Sequence, residues 1–418
     1  MRIGFAKTDI TPPLGTELGG YAGYRPCQGI HDPLYCKAVI LEQDDGRYGL
    51  MVLDLLCVDE ALYLRIAQAL EPLGIARQRL IVSAIHSHAA PRGVIPGEGP
   101  LARVNSASEP KDPAFHDYIQ NVINGAKAAC EQAAADLEPF LVRAAQGELP
   151  PVGSERHTGD ALKGKLTVVQ CRTESGKLLT VYNFPCHPTV MSAANLLVSA
   201  DFAGTIEELL GGDMAVFVNG AAGDVSTRFT RRESSFAECA RMGGIAAEGI
   251  KAVIEAVPYQ NPEPVQFIHS TVTLRARQVE TPEQAQEQYD ALSARWKAAQ
   301  ESGADPAAVR LLKSYVEGAG VNLQFARTMG DIRELHLPVT VFHFCGIDFS
   351  TVPGELFSAL QPEGLAVIGY ANGYYRYFGG EAAYEAGHYE ALAALIARGE
   401  GERLVSEILK LQQQLNTM

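Results

Sequence analysis

The chain has 418 residues, of which 47% are hydrophobic and 20% are charged, a composition typical of a globular enzyme with a sizeable core. The formal net charge of −14 argues against nucleic acid or an anionic membrane as a partner, because both require a basic surface. It also disfavours a strongly anionic substrate, unless a local basic cleft overrides the overall charge.

Signals for export or membrane insertion are not apparent. The N-terminal residues MRIGFAKTDITPP lack an apolar core followed by a small-residue cleavage site, and no apolar run approaches the ~20 residues that a membrane span needs. The eight cysteines are dispersed without a C-x-x-C pair, which predicts free thiols. These features predict a cytoplasmic protein with a small-molecule substrate, and they leave a homo-oligomer open.

The predicted elements are hairpins, buried strands and helices. Hairpins are predicted where apolar runs flank Asp-Asp-Gly-Arg and Glu-Ser-Gly-Lys turns. In chain order the predicted elements are a hairpin (38–59), a helix (60–71), a strand (80–85), a helix (113–135), a hairpin (165–184), a strand (215–220), a helix (233–256), strands (338–352 and 366–371) and a helix (402–415).

Residues 281–330 differ from the rest because they are polar, rich in Ala, Glu, Gln and Lys, and interrupted near Gly303. The pattern predicts a helical hairpin, which is either a solvated surface excursion or a lid over the active site. No internal repeat is visible. We expect an α/β protein with mixed β-sheets flanked by helices, folded as a single domain over 1–418.

The most informative segment is LIVSAIHSHAAP, which begins at Leu80. Its buried strand ends in His86 and His88, and side chains two positions apart on an extended chain point to the same side. Ligands of α/β proteins gather at such strand ends. A lone histidine here would be interpreted as a cap on the strand, but the pair favours metal binding or acid–base chemistry.

A second strand end, TVYNFPCHPTVM, places Cys186 and His187 between two prolines. Pro185 and Pro188 restrict the backbone on both sides, as a preorganised ligand requires. Because adjacent side chains on an extended chain point in opposite directions, we expect only one of the pair to face the site, and we choose His187.

A third strand end, VNGAAGDVST (218–227), is rich in small residues. The Gly-Ala-Ala-Gly run allows close backbone approach and could form a nest of N–H groups around a developing negative charge. The alternative is an ordinary glycine-rich turn capped by Asp224. Ser226 follows directly and is a further polar candidate.

Two later segments contribute a carboxylate and several tyrosines. In STVPGELFSAL, Glu355 is predicted to open a helix, where it would either stabilise the helix N-terminus or bind a metal. The segment 369–390 contains five further tyrosine candidates after its Y-A-N motif, of which most should pack and some could hold an oxyanion or substrate.

Taken together, two histidines and a glutamate at strand-end turns match the ligands of a catalytic zinc site with one position open for water. Zinc would lower the pKa of that water and polarise a scissile carbonyl. The G-x-S-x-G elbow of serine hydrolases and the Walker loop are both absent from the sequence. The segment 97–102, GEGPLA, follows a proline loop rather than a strand, so it is not interpreted as a dinucleotide site.

The order of these segments resembles that of the neutral (non-lysosomal) ceramidases. The similarity rests on AKTDITPP, SAIHSHAAP, CHPT followed by SADFAG, NGAAGDVS, VPGE and GYANGYYRYF, spread over residues 3–390. It implies the family's catalytic-domain fold and one zinc ion per chain. It also implies that the metal is held by His86, His187, Glu355 and Tyr377.

The same resemblance implies roles for four more residues. His88 would support the metal ligands or transfer protons, and Tyr389 would face the substrate. Arg156 matches an arginine in the loop before the third hairpin. Ser226 would act as a nucleophile or as a substrate contact.

The sequence also departs from the ceramidase pattern. We expect a short cytosolic-type member without an export signal or a C-terminal β-sandwich, and Thr227-Arg228 stands where the family has proline. The expected activity is therefore zinc-dependent hydrolysis of an amide bond in a small or medium soluble substrate. The alternatives are a zinc Lewis-acid enzyme (an esterase, lyase or isomerase on a polar or sugar-like metabolite) and a binding protein that retains the fold.

Overall fold

The computed structural model describes the residues 1–105, 112, 114–148, 150–162, 165–330 and 332–417. In chain order its strands are β1 (Arg2–Asp9), β2 (Gly29–Ile30), β3 (Tyr35–Gln43), β4 (Gly46–Leu53), β5 (Leu80–Ala84), β6 (Phe140–Gly147), β7 (Ser154–Glu155), β8 (Leu166–Thr173), β9 (Leu178–Phe184), β10 (Leu197–Val198), β11 (Met214–Asn219), β12 (Val225–Ser226), β13 (Gln266–Arg275), β14 (Glu334–Phe344), β15 (Ile347–Thr351), β16 (Glu355–Leu356), β17 (Leu365–Ile368) and β18 (Tyr377–Phe378).

Helices lie between and around these strands, and none in the described ranges is long and apolar enough to cross a membrane. Side-chain caps define several of their starts: the Asp59 carboxylate accepts from the backbone at the first turn of the first helix, and Thr281 forms a capping box. The helices are α1 (Glu60–Leu70), α2 (Ala102–Asn105), α3 (Ala114–Ala135), α4 (Phe202–Leu210), α5 (Phe236–Glu255), α6 (Pro282–Glu301), α7 (Pro306–Thr328), α8 (Glu381–Glu385), α9 (Tyr389–Leu392) and α10 (Glu400–Leu415).

Three four-stranded sheets share one connectivity. Their strand orders are β1-β3-β4-β5, β6-β8-β9-β11 and β13-β14-β15-β17. In each sheet the first three strands are antiparallel neighbours, and the fourth strand lies parallel to the third. The structure thus contains a threefold topological repeat that the sequence does not reveal.

The parallel pair in each sheet determines where functional loops can meet. Parallel neighbours present their carboxyl ends at the same edge of a sheet. Three equivalent sheet edges therefore carry loops. They are the loops after β4 and β5, after β9 and β11, and after β15 and β17. Contacts of β11 with β4, β5 and β17 bring these edges together at the centre of the molecule.

Three buried asparagines connect the sheets near these edges. Asn183 on β9 donates to carbonyls on β11 and β17, both at 2.8 Å. Asn219, at the end of β11, donates to the loops that follow β5 and β9, both at 3.0 Å. Asn372, after β17, accepts from a backbone N–H of β5 at 2.8 Å. Each amide satisfies backbone groups that the sheets leave unpaired where they meet.

Two apolar cores lie on the faces of the sheets. The larger core joins the first two sheets to one face of the third, through residues such as Phe349 and Ile368. The smaller core lies between the opposite face of the third sheet and α10, where Val341 packs with Leu404. The mixed α/β class is confirmed, and the assignment of 1–418 to one domain stays a prediction.

Most predicted elements are present with shifts of a few residues at their ends. Both predicted hairpins form, as β3–β4 and β8–β9, and the helix expected over 113–135 begins at Ala114 in the described part of the chain. The predicted strand at 338–352 divides into β14 and β15, and β14 begins earlier, at Glu334. Strands β1, β6 and β13 and helix α4 were not predicted.

Residues 281–330 form the expected helical hairpin. Its two helices, α6 and α7, pack against each other, and α7 also contacts α9. At that second contact a Cβ on Gly318 would lie 2.8 Å from Leu392 Cδ1, so the backbones approach closely. The Phe325 ring of α7 lies 5.0 Å beneath the guanidinium of Arg376. One face of the hairpin is therefore packed against the main body.

A buried ion triad joins the first sheet to α4. The fully buried Lys37 ammonium lies 2.6 Å from Asp54 Oδ1 and 2.6 Å from Glu207 Oε1. Replacing Lys37 by methionine would leave two buried carboxylates without their cation, so we expect the free energy of unfolding to fall by about 3–5 kcal/mol in urea titrations. The exposed ion pair between Lys127 and Glu131 offers a control. Lys127→Met should lower the free energy of unfolding by less than about 1 kcal/mol. Equal losses for both variants would contradict this assignment.

Candidate metal centre

His86 lies two residues beyond the end of β5, on the loop at the carboxyl edge of the first sheet. Its φ of 68° is left-handed, a conformation that non-glycine residues rarely adopt. The backbone N–H donates to Leu55 O at 3.0 Å, and ring Nδ1 lies 2.7 Å from Leu56 O. Backbone and ring are thus both held by the loop after β4. The strained conformation is typical of residues positioned for function.

His187 lies on the loop after β9, at the edge of the second sheet. Its backbone N–H donates to Val225 O at 3.0 Å, and its ring Nδ1 lies 2.9 Å from the same oxygen. The Cys186 thiol points elsewhere, since its sulfur lies 3.0 Å from where a Cβ on Gly153 would be. As expected from the alternation along the chain, only the histidine of this pair faces the cluster.

Glu355 lies on β16, which follows β15 of the third sheet in the chain and forms a separate two-stranded sheet with β18. Its Oε1 accepts a 2.5 Å hydrogen bond from the Tyr374 hydroxyl. Its Oε2 lies 3.0 Å from His187 Nε2 and 3.7 Å from His86 Nε2. The prediction that a helix starts at Glu355 is wrong. The backbone N–H of Glu355 donates to Arg376 O, and β16 pairs with β18 as a strand.

The donor set at this point fits a cation. A carbonyl can only accept, so Nδ1 of both His86 and His187 must carry the proton and Nε2 must carry the lone pair. Both lone pairs then face Glu355 Oε2, a buried atom without a hydrogen-bond partner among the described residues. Three electron-rich atoms this close repel one another unless a cation lies between them, either a metal ion bound by all three atoms or a proton held by the carboxylate and one imidazole. Histidines whose second nitrogen donates to a carbonyl are the usual ligands of zinc.

The burial of the site favours the same arrangement. Burial lowers the pKa of His86 to about 3 and lowers the pKa of His187 well below its ordinary value. Both rings are therefore neutral and able to bind a metal at neutral pH. Burial also raises the pKa of Glu355, with partial compensation from His86 and the Tyr374 hydrogen bond. A nearby positive charge strongly stabilises the ionised form of a buried carboxylate whose pKa is raised by burial.

His88 lies on the same loop as His86 and joins the cluster from one side. The ligand nitrogens of His86, His88 and His187 all lie within 4.8 Å of one another. The Nε2 atoms of His88 and His86 are 3.3 Å apart. However, the buried Nδ1 of His88 has no hydrogen-bond partner within the described ranges, so its tautomer is not fixed as those of the other two rings are. The geometry brings His88 to the centre but orients it less firmly.

Tyr377 lies beside Glu355, because β18 pairs with β16 in register at these two residues. The ring of Tyr389, at the start of α9, lies 6.1 Å from the Tyr377 ring. Burial, followed by the charge of Glu355, raises the pKa of Tyr377 well above its usual value. Both predicted tyrosines are therefore in the same wall of the site as the carboxylate.

Arg156 reaches the centre from the loop between β7 and β8. Its Nη1 lies 2.9 Å from Glu390 Oε1, and its buried Nε has no hydrogen-bond partner in the part of the chain that is described. Burial alone would lower its pKa, but Glu390, Tyr377 and Glu355 raise it. Burial opposes ionisation of Glu390, yet the hydrogen bond from His157 and the charge of Arg156 hold its pKa at about 2.

Ser226 is buried beside His187, with which it forms a β-bridge. The nest of N–H groups predicted over the Gly-Ala-Ala-Gly run is wrong at three of its positions, because the N–H groups of Gly220, Ala222 and Gly223 donate to backbone carbonyls. The Asp224 carboxylate accepts from the backbone N–H and the hydroxyl of Ser358, at 2.7 and 3.1 Å. The segment is thus a structural turn rather than an anion cradle.

Tyr370 and Asn219, both near the centre, were missed in the sequence, whereas Tyr374 was one of the five tyrosine candidates but without the contact it makes here. Tyr374 binds Glu355, Tyr370 stacks on the His86 ring at a centroid distance of 4.1 Å, and Asn219 binds both histidine loops. The tyrosines lie in the segment already noted for its tyrosine content, so the composition marked the region without separating these two from their neighbours. The N-G pair at the end of a buried strand was the available signal for Asn219.

Comparisons with known proteins identify the family and agree with the fold. The sequence profile of neutral/alkaline non-lysosomal ceramidase, N-terminal, matches residues 1–324. Among solved structures, a neutral ceramidase from Pseudomonas aeruginosa has a TM-score of 0.74 at 18% identity, over 99% of this chain and 74% of that one. A ceramidase complexed with C2 has a TM-score of 0.70 at 16% identity, over 99% of this chain and 75% of that one.

At these identities the two structures establish the fold alone. No curated protein matches the chain. The profile match covers more than half of the 418 residues and includes both histidine loops, whereas Glu355 and the tyrosines follow it. The chain belongs to the neutral/alkaline non-lysosomal ceramidase family of hydrolases.

Proposed function

We propose that the protein is a zinc-dependent amidohydrolase that cleaves the amide bond of a small or medium soluble substrate. The observation that carries this proposal is the convergence of two tautomer-fixed imidazoles on an unpartnered buried carboxylate oxygen. We assign the ion to His86, His187, Glu355 and Tyr377. The two similar structures are ceramidases, which supports hydrolysis of an amide as the reaction class.

A bound zinc ion supplies Lewis acidity, which polarises a carbonyl and acidifies water. The chain's own residues position the reactants. Tyr374 orients the Glu355 carboxylate so that Oε2 faces the two imidazoles. His88, whose Nδ1 has no partner in the described part of the chain, is placed to exchange a proton with the leaving amine. We assign Arg156 and Tyr389 to contacts with the substrate carbonyl, because Tyr389 lies beside Tyr377, and we keep Ser226, which bridges to His187, as a further substrate contact or nucleophile.

The reaction class is tested with matched substrates. Purified, zinc-loaded protein is incubated with an N-acyl amine, the corresponding ester and an unmodified sugar of similar size. Stoichiometric release of amine and carboxylate from the amide is the expected result. Preferential ester cleavage, or turnover of the sugar without release of an amine, would instead favour the alternative of another zinc Lewis-acid enzyme.

The ligand set is tested by comparing two variants. The structure places both Glu355 and His88 near the two central imidazoles, but only Glu355 has an orienting hydrogen bond and an open oxygen. We expect Glu355→Gln to weaken zinc binding by at least about 100-fold, since a ligand counts for more than the 10- to 100-fold typical of supporting residues. His88→Ala should keep zinc and lose mainly turnover. Zinc loss in His88→Ala with retention in Glu355→Gln would reverse the assignment.

We also propose that the helical hairpin of α6 and α7 supports one wall of the substrate site. Helix α7 packs on α9, which begins with Tyr389. Gly318→Val should push α7 away from Leu392, because a Cβ there already lies 2.8 Å from its Cδ1. The expected result is a KM raised severalfold with the zinc content unchanged. Unchanged KM, or loss of zinc, would reject this role.

The eight cysteines are buried with free thiols. This agrees with a reducing compartment, and we propose the cytoplasm as the site of action. Oligomeric state does not enter the proposal.

A further inference from the structure

The loop after Ser226 brings unpaired positive charge to the candidate site. Arg228 donates from Nη1 to the backbone carbonyl of Arg156 at 3.3 Å, and Arg231 donates to Thr189 O beside His187. Neither guanidinium forms a salt bridge with any of the described residues.

Arg156 is the inner member of this group. Only 12% of its side chain is exposed, its Nη1 faces Glu390, and its Nε is buried without a hydrogen-bond partner among the described residues. Its backbone N–H donates to Asp224 O at 2.7 Å, one residue before Val225, whose carbonyl holds the His187 ring. A buried guanidinium with an open donor is a preorganised contact for an oxygen of a ligand.

The carboxylates near these arginines do not pair with Arg228. Glu390 lies 2.9 Å from Arg156 Nη1 and is shared with His157, at 3.1 Å. Burial and then the charge of Arg156 lower the pKa of Arg228, whereas Glu390 and Glu155 raise it without forming a salt bridge to it among the described residues. The Arg228 guanidinium is therefore available to pair with an anionic group of a ligand.

We infer that the substrate amide carries a carboxylate, as in an N-acyl amino acid, and that Arg156 and Arg228 bind this carboxylate. The inference rests on the amide hydrolysis proposed above. Water adds across the C–N bond: the acyl carbon gains the hydroxyl oxygen, and the amino nitrogen takes a proton. The products are a carboxylic acid, released as its anion, and a free amino acid. The exposed Arg228 selects the anion at the entrance, and the buried Arg156 orients it beside the metal centre.

The test compares N-hexanoylglycine with N-hexanoylglycinamide, which differ only in the charged group. With zinc-loaded wild-type protein we expect kcat/KM for the acid to exceed that for the carboxamide by about tenfold or more, the effect of one charge-assisted hydrogen bond. The Arg228→Gln variant should lose most of that preference. The Arg403→Gln variant, altered on α10, should keep it. The KM of the acid should also rise with salt, because an exposed guanidinium is screened.

Failure of this inference can be distinguished from failure of the proposed function. Equal kcat/KM for acid and carboxamide, or a preference that Arg228→Gln retains, would overturn the carboxylate assignment while amide hydrolysis stands. If zinc-loaded protein cleaves neither compound, calorimetric binding decides. Tighter binding of the acid that Arg228→Gln abolishes would uphold the anion site and reject the amidase, and equal binding of both compounds would overturn the anion site.

Discussion

Replacing His187 by alanine is expected to remove the metal ion and reduce turnover by about 1,000-fold or more. The ring contributes one of two tautomer-fixed nitrogens, and its loss leaves Glu355 Oε2 facing a single imidazole. Metal polarisation of a carbonyl is worth several kcal/mol, and each 1.4 kcal/mol is a factor of ten in rate. The measurement is metal content together with kcat on the same preparation.

His336→Ala is the matched control for this prediction. His336 is an exposed histidine on β14, and within the described ranges its ring forms a single hydrogen bond, to the Thr273 hydroxyl at 3.0 Å. Its replacement should leave metal content and turnover unchanged. Both variants should show the same far-ultraviolet circular dichroism, so that loss of the metal is not confused with unfolding. Retention of full turnover by folded His187→Ala protein would contradict the role assigned to this ring.

The second large effect is expected at Asn219, which no charge or nucleophile marks as important. Its amide nitrogen donates to Ile85 O and Cys186 O, and its amide oxygen accepts from the Cys186 N–H at 3.2 Å. Asn219→Leu would leave three buried backbone groups unpaired. At about 1–3 kcal/mol for each group, we expect the free energy of unfolding to fall by at least roughly 3 kcal/mol.

The same substitution should weaken zinc binding, because Ile85 and Cys186 each precede a histidine ligand. We expect a loss of about 10- to 100-fold in affinity, as for other groups that orient metal ligands. Asn124→Leu, on the exposed face of α3, should change stability by less than about 0.5 kcal/mol. Unchanged stability and zinc affinity in Asn219→Leu would show that the hydrogen bonds from Asn219 to the two histidine loops are dispensable.

The histidine loops were predictable because strand-end geometry is local. The backbone near His86 is restricted by the apolar strand before it, and the backbone near His187 is restricted by the prolines on either side. Both restrictions can be read directly from the neighbouring residues in the sequence. The alternation rule predicted His187 rather than Cys186 for the site, and His187 is the one that lies in the cluster with His86. The left-handed φ of His86 was not predictable, because it depends on hydrogen bonds from the loop after β4.

The convergence of the three edges was beyond the sequence. The repeated sheet topology leaves no repeated residues, since each sheet needs only apolar alternation and a turn. Asparagines such as Asn183 and Asn372 look ordinary until the sheets they join are placed side by side. The error at Glu355 has the same origin: a Pro-Gly turn before a glutamate is typical of a helix start, but tertiary pairing with β18 makes it a strand.

The metal content of purified protein tests the account most directly. Elemental analysis should find about one zinc ion per wild-type chain, which is the stoichiometry of a single catalytic site. The His86→Ala, His187→Ala double variant should contain essentially none and should lose amide hydrolysis with it. A folded double variant that retained both its zinc and full turnover would contradict the metal centre assigned to these two histidines.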